Sequence, residues 1–247
     1  MHLQAVLKKV GKYAAIAFLL LAFAVFAAIP LARMERPGDL LDADNTQPLA
    51  IDNVHLVTMG GDQMLTNRQI RIRRGVIEGI LDAGEPVGSD YRMIDAEGAY
   101  LLPGLIDMHV HVFDRKYLAL SLAYGVTSVR NMSGYPIHLR WKQELSEGQW
   151  LGSNLAIGSP VMNGKENSNP MAHKVASDPE EARAMVREYH AQGWDFVKVY
   201  TRLSRPVYEA IVDEAGKLDF PLPGHVPNAV LNSYNKLAAP KVTIEHN

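Results

Sequence analysis

Apolar and polar positions divide the chain into stretches of different rhythm. The first is a charge-free run from Ala14 to Ala32 that carries Phe18, Leu19, Leu20, Leu21, Phe23, Val25 and Phe26. About 20 apolar residues in a helix cross a bilayer core. The run therefore predicts an N-terminal hydrophobic helix, and because every face is apolar it does not read as an ordinary core helix. Residues 34–48 form a polar linker. Between Leu49 and Tyr100 the rhythm shortens to β-type segments with turns at Gly60-Gly61, Arg74-Gly75 and Glu97-Gly98. Ile70 and Ile72 alternate there with polar neighbours, which predicts a small antiparallel β unit over 49–100.

After Tyr100, strands and helices alternate. Apolar strand candidates are 101–112, 127–131, 154–158, 195–200, 221–226 and 242–246, with a long loop at 159–177. The clearest helix is Asp178–Gln192: Asp178 suits the N-cap, Pro179 the first helical position, and Gly193 the stop. A second helix, Arg205–Leu218, carries Val207, Ile211 and Ala215 four residues apart. This alternation predicts an α/β fold with a parallel sheet.

Composition narrows the function. The chain is 47% hydrophobic and 21% charged, which is ordinary globular usage. It contains no cysteine, so a thiolate zinc site, a thiol nucleophile and a redox pair are all excluded. Net charge is −2, and −5 once Lys8, Lys9 and Lys12 are set aside; no basic surface for nucleic acid is expected. Those lysines precede the apolar run, which favours a cytoplasmic N-terminus and export of the rest. Residues 1–33 thus read as a signal anchor or a cleaved signal peptide. The expected location is periplasmic or extracytoplasmic, held to the membrane by the N-terminal segment.

The candidate chemistry starts at Pro103-Gly104-Leu105-Ile106-Asp107-Met108-His109-Val110-His111. Strand side chains alternate faces, so His109 and His111 project together, close enough to share one metal ion. Asp107 is expected on the same face, one pleat deeper. Lys198 sits inside the apolar segment "WDFVKVY". A buried lysine is paired, neutral or modified, unless its amine snorkels outward. His225 and His246 end the fifth and sixth strand candidates; each alone reads as a structural or surface histidine. Tyr200 shares a face with Lys198 and is open between a substrate contact and a packed core position. Arg130 and Asn131 carry the same ambiguity. His2, His55, His138 and His190 read as surface residues, while His173 lies in a loop that can line a pocket.

The segment "YLLPGLIDMHVHV" resembles the first barrel strand of the amidohydrolase superfamily, in its imidazolonepropionase-like and prolidase-like branch. "IRIRRGVIEGI" and "MIDAEGAYLLPG" resemble the small β-sandwich before that barrel, and "LAYGVTSVRNMSG" its second strand. The resemblance implies an incomplete (β/α)8 barrel, about six of eight strands, over 101–247. It implies two divalent ions, zinc in the usual case. His109 and His111 would hold one, His225 and His246 the other, and a carboxylated Lys198 would bridge them. The implied activity is hydrolysis of amide, cyclic amide or dipeptide C–N bonds by a metal-activated hydroxide, in a chain that can also form a homo-oligomer.

A full barrel takes about 250 residues, and only 147 remain from Leu101 onward. The aspartate that the family places on its eighth strand has no counterpart here. The expectation is therefore a fragment or a truncated product. The competing expectation is a catalytically inactive, membrane-anchored module that binds metal or acts as a scaffold.

Overall fold

The computed structural model describes residues 47–61, 64–166, 169, 172–233 and 242–244. The apolar run 14–32, most of the linker and His246 lie outside them. Among the described residues no helix is long and apolar enough to cross a membrane.

The first strands follow the turn signals. β1 (Leu49–Val57), β2 (Met64–Arg73) and β3 (Val76–Asp82) form an antiparallel meander. Arg74 and Gly75 join β2 to β3 at φ of 52° and 74°, the left-handed backbone that a two-residue hairpin loop requires. The expected antiparallel unit is nevertheless a mixed sheet. β4 (Arg92–Asp95) pairs parallel with residues 49–52 of β1, and β5 (Tyr100–Leu101) pairs parallel with His55 and Leu56. Hairpin punctuation reports only pairings between chain neighbours, so these returns to β1 left no mark in the pattern. The five strands make one sheet among the described residues, with Ala50, Val54 and Ile70 buried.

The remainder is parallel. β6 (Leu105–Val110) pairs with β7 (Val126–Asn131) across α1 (Lys116–Ala123), and β7 pairs with β8 (Asn154–Ile157) across α2 (Pro136–Ser146). The segment expected to be a long loop, 159–177, contains β9 (Val161–Asn163) and β10 (His173–Val175), parallel to each other. Two crossover helices follow, α3 (Pro179–Gln192) and α4 (Arg205–Lys217). The Asp178 carboxylate accepts the backbone N–H groups of Glu180 and Glu181, and Gly193 ends α3 at φ 86°, as the capping residues predict.

Residues 195–200, expected as a strand, form isolated bridges at Phe196 and Val199. Their backbone is still bonded on both sides. Tyr200 N–H donates to Met162 (3.0 Å) and Ser159 N–H to Phe196 (2.9 Å). On the other flank Val197 N–H donates to Pro221 (2.9 Å), next to β11 (Leu222–Gly224). β12 (Val242–Ile244) lies parallel to β11. Apart from β10, which flanks β9, the parallel segments thus pair in chain order. Ile157, Met162, Val197, Val199, Ile211 and Leu222 close the core around the 195–200 segment, each at most 2% exposed. Burying each such side chain stabilises the fold by about 1.5–3 kcal/mol.

Candidate active site

The histidine pair sits where β6 departs from regular pairing. Asp107 is opposite Val129 and Val110 opposite Asn131, so β6 fits an extra residue into that interval. Such a bulge re-aims side chains. His109 falls inside this interval. The Asp107 carboxylate accepts the backbone N–H of His109 (3.0 Å). The His109 and His111 rings lie with centroids 5.4 Å apart, edge to face.

Both rings line a cavity of about 430 Å³ together with Lys198, Tyr200, His225 and His173. Lys198 is 2% exposed, and its side chain turns to the cavity rather than outward to solvent. Its backbone N–H donates to the Ser159 hydroxyl (3.1 Å). His225 follows Gly224, where a Cβ would come within 2.5 Å of the Val199 carbonyl oxygen. Only glycine allows this approach, which lets His225 N–H donate to that same carbonyl (3.2 Å). Tyr200 stands edge to face against His225 (4.4 Å between centroids) and tilted against His173 (5.1 Å).

His173 reaches the cavity because β10 pairs beside β9. Its Nδ1 accepts the backbone N–H of Asn169 (3.0 Å) and lies 3.2 Å from the Asn163 amide nitrogen. Two donors on Nδ1 leave the proton on Nε2. Burial pushes the His173 pKa below the usual histidine value, so the ring is a neutral N–H donor.

Among the described residues no three of His, Asp or Glu come together as a metal cluster. Lys198 lines the same cavity, and His246 lies outside the described residues. The donors present fit a divalent ion in their chemistry: paired imidazoles, a third imidazole and a buried amine on one cavity.

Three expectations resolve differently. Arg130 donates Nε–H to the Met108 carbonyl (2.7 Å) and stacks over Phe196 (5.8 Å), away from the residues lining the cavity. Asn131 is fully buried and is not among the residues lining the cavity; its amide bonds to Val112 N–H and the Ser133 carbonyl. His138, expected on the surface, is 1% exposed. Its Nε2 is 2.8 Å from the Val112 carbonyl, while Nδ1 accepts the Tyr135 backbone N–H (3.0 Å) and lies 3.0 Å from the Asn131 amide nitrogen. Desolvation lowers its pKa, opposed by the bond to Val112. The available sequence signal was its place, third in a helix opened by Pro136, where a side chain commonly reaches back to the cap.

No family model matches the chain. Adenine deaminase 3 of Rhizobium johnstonii is 27% identical over 107 residues, 43% of this chain and 18% of that protein. Among solved structures, a bottromycin amidohydrolase superposes with a TM-score of 0.69 at 26% identity, covering 80% of this chain and 43% of that one. A putative prolidase from Bifidobacterium longum gives 0.61 at 25%, covering 74% and 51%. The chain is thus similar in sequence and fold to proteins of the amidohydrolase superfamily. It spans under a fifth of that deaminase and about half of those solved chains.

Proposed function

We propose that this chain carries the metal-binding wall of a hydrolase that breaks C–N bonds in small molecules. The observation that carries the reading is the convergence of His109, His111, Lys198 and His225 on one cavity. In this reading the parallel segments are the first six strands of a (β/α)8 barrel, and the mixed sheet is part of a β-sandwich. The location of the cavity residues at strand ends supports it. His109 and His111 hold one divalent ion, His225 and His246 a second, with Lys198 carboxylated between them. Zinc is the metal proposed, since imidazole and carboxylate-type donors suit it. When bound, the metal supplies a nucleophile at neutral pH and polarises a scissile carbonyl.

The chain's own residues then orient the substrate. The Tyr200 hydroxyl and the His173 Nε2–H are donors for a carbonyl oxygen on the far wall. The buried apolar surround of Lys198 keeps water from competing. Amide, cyclic amide and dipeptide-like compounds are the proposed substrate class; adenine deaminase and prolidase, the names of similar proteins, both denote C–N chemistry. The apolar run 14–32 supports export and attachment to the membrane.

The test is a zinc titration of the purified chain, followed by hydrolysis assays with Xaa-Pro dipeptides, N-acyl amino acids and adenine. Zinc bound by the unaltered chain and lost in His109→Ala/His111→Ala is the expected result. An unaltered chain that binds no zinc sinks the reading. The alternative reading is a metal-binding module without turnover. Zinc binding with no hydrolysis of any of these compounds would select it.

A further inference from the structure

The segment leaving the histidine pair is held by a closed set of buried polar contacts. Val112, next to His111, has both its backbone groups engaged: its N–H donates to Asn131 Oδ1 (3.1 Å), and its carbonyl lies 2.8 Å from His138 Nε2. Two residues earlier, at the end of β6, the Val110 carbonyl accepts Met132 N–H (2.9 Å). The Asn131 amide nitrogen also donates to the Ser133 carbonyl (3.2 Å). Val112, Asn131 and His138 are each at most 1% exposed.

The directions of these bonds decide the protonation of His138. The Tyr135 backbone N–H can only donate, so Nδ1 must accept, and the Asn131 amide group completes that side. The Val112 carbonyl can only accept, so Nε2 must carry the proton. A neutral imidazole of this tautomer satisfies every partner at once. The ring therefore has two separable jobs. Nδ1 caps the first turn of α2, and Nε2–H reaches across to the exit of β6.

We infer that His138 is a positioning residue for the metal site: its Nε2–H bond to Val112 fixes the direction in which His109 and His111 face the cavity. The inference rests on the proposed metal-binding role of that pair. Among the described residues β6 pairs with β7 alone, and the Val112 bond adds a second hold just past the end of that strand. Loss of an outer partner of a metal ligand typically weakens metal binding about 10- to 100-fold.

Two substitutions separate the two jobs. His138→Asn keeps an acceptor at the Nδ1 position and caps α2, but it cannot reach Val112. His138→Gln places an amide donor near the Nε2 position and keeps the Val112 bond. Both are titrated with zinc alone as full chains, and amide hydrogen exchange is followed over residues 109–113. The expected result is a zinc Kd about tenfold weaker in His138→Asn, with faster exchange over 109–113, and a Kd within about threefold of the unaltered chain in His138→Gln. If His138→Asn is folded and binds zinc as the unaltered chain does, the inference is overturned. It is equally overturned if both variants lose affinity to the same extent. A failure of the unaltered chain to bind zinc is a different outcome, and it overturns the functional reading together with this one.

Discussion

On one wall of the cavity Lys198 rides between Val197 and Val199, 0% and 2% exposed, in a segment bonded to neighbours on both flanks. On the other wall His109 and His111 stand at the end of β6, which has one bonded neighbour among the described residues and where Leu105, Ile106 and Met108 are all more than half exposed. The first wall is held by dispersion and burial, which act over many atoms and tolerate little change. The second is held by a few directional polar bonds, from Asp107 to the His109 N–H and from Asn131 and His138 to Val112. A single site can thus join a stiff half to a half that is stiff only at its end.

The largest expected effect tests whether the edge wall carries chemistry at all. His109→Ala/His111→Ala should lower kcat/KM for C–N hydrolysis on the order of 10³-fold, because metal charge stabilisation contributes several kcal/mol and each 1.36 kcal/mol is tenfold. A loss below tenfold breaks the assignment. Next comes stability measured by urea midpoints. Leu222→Ala, beside the lysine wall and 2% exposed, should cost about 2–5 kcal/mol. Ile106→Ala, on the exposed edge, should stay within about 0.5 kcal/mol. Equal costs would erase the distinction between the walls.

A smaller effect comes from acid. The folded-state pKa of His138 is lowered by desolvation, so as pH falls below about 6.5 the unfolded chain takes up the proton first. Stability should therefore decline as pH drops through that window and level off below the folded value. His173, also lowered by burial, adds in the same direction. Replacing His138 by Gln should flatten the decline; an unchanged slope would place the titration elsewhere. The smallest effect belongs to the ion pairs between α3 and α4. Arg187, half exposed, meets Glu214 at 2.9 Å and holds its carboxyl below the ordinary glutamate range. Arg187→Ala should cost about 0.2–1 kcal/mol, less at high salt. A cost as large as that of Leu222→Ala would contradict the ranking.

What could be read from the sequence follows the range of each signal. The ends of α3 are set by groups within three residues, Asp178 on the N–H groups of Glu180 and Glu181 and Gly193 in the left-handed region, so they were legible. The histidine pair was legible because its two-residue spacing in an apolar strand brings the rings together, 5.4 Å apart. The bulge itself was not, since it exists only relative to β7. β9 and β10 are three residues each, too short to show alternation, and that concealed the route of His173 to the cavity. His138 was hidden for a related reason: its partner Val112 is 26 residues away, and nothing local to α2 names it. The parallel return of β4 to β1 is non-local in the same sense.

The exposed side of β6 has a consequence for how the protein is made. A nascent chain leaving the ribosome produces β6 before β7 and β8, its parallel neighbour and the next strand in that sheet. Until β7 emerges, the apolar Leu105, Ile106 and Met108 stand on an unpaired strand, open to chaperones or to another growing chain.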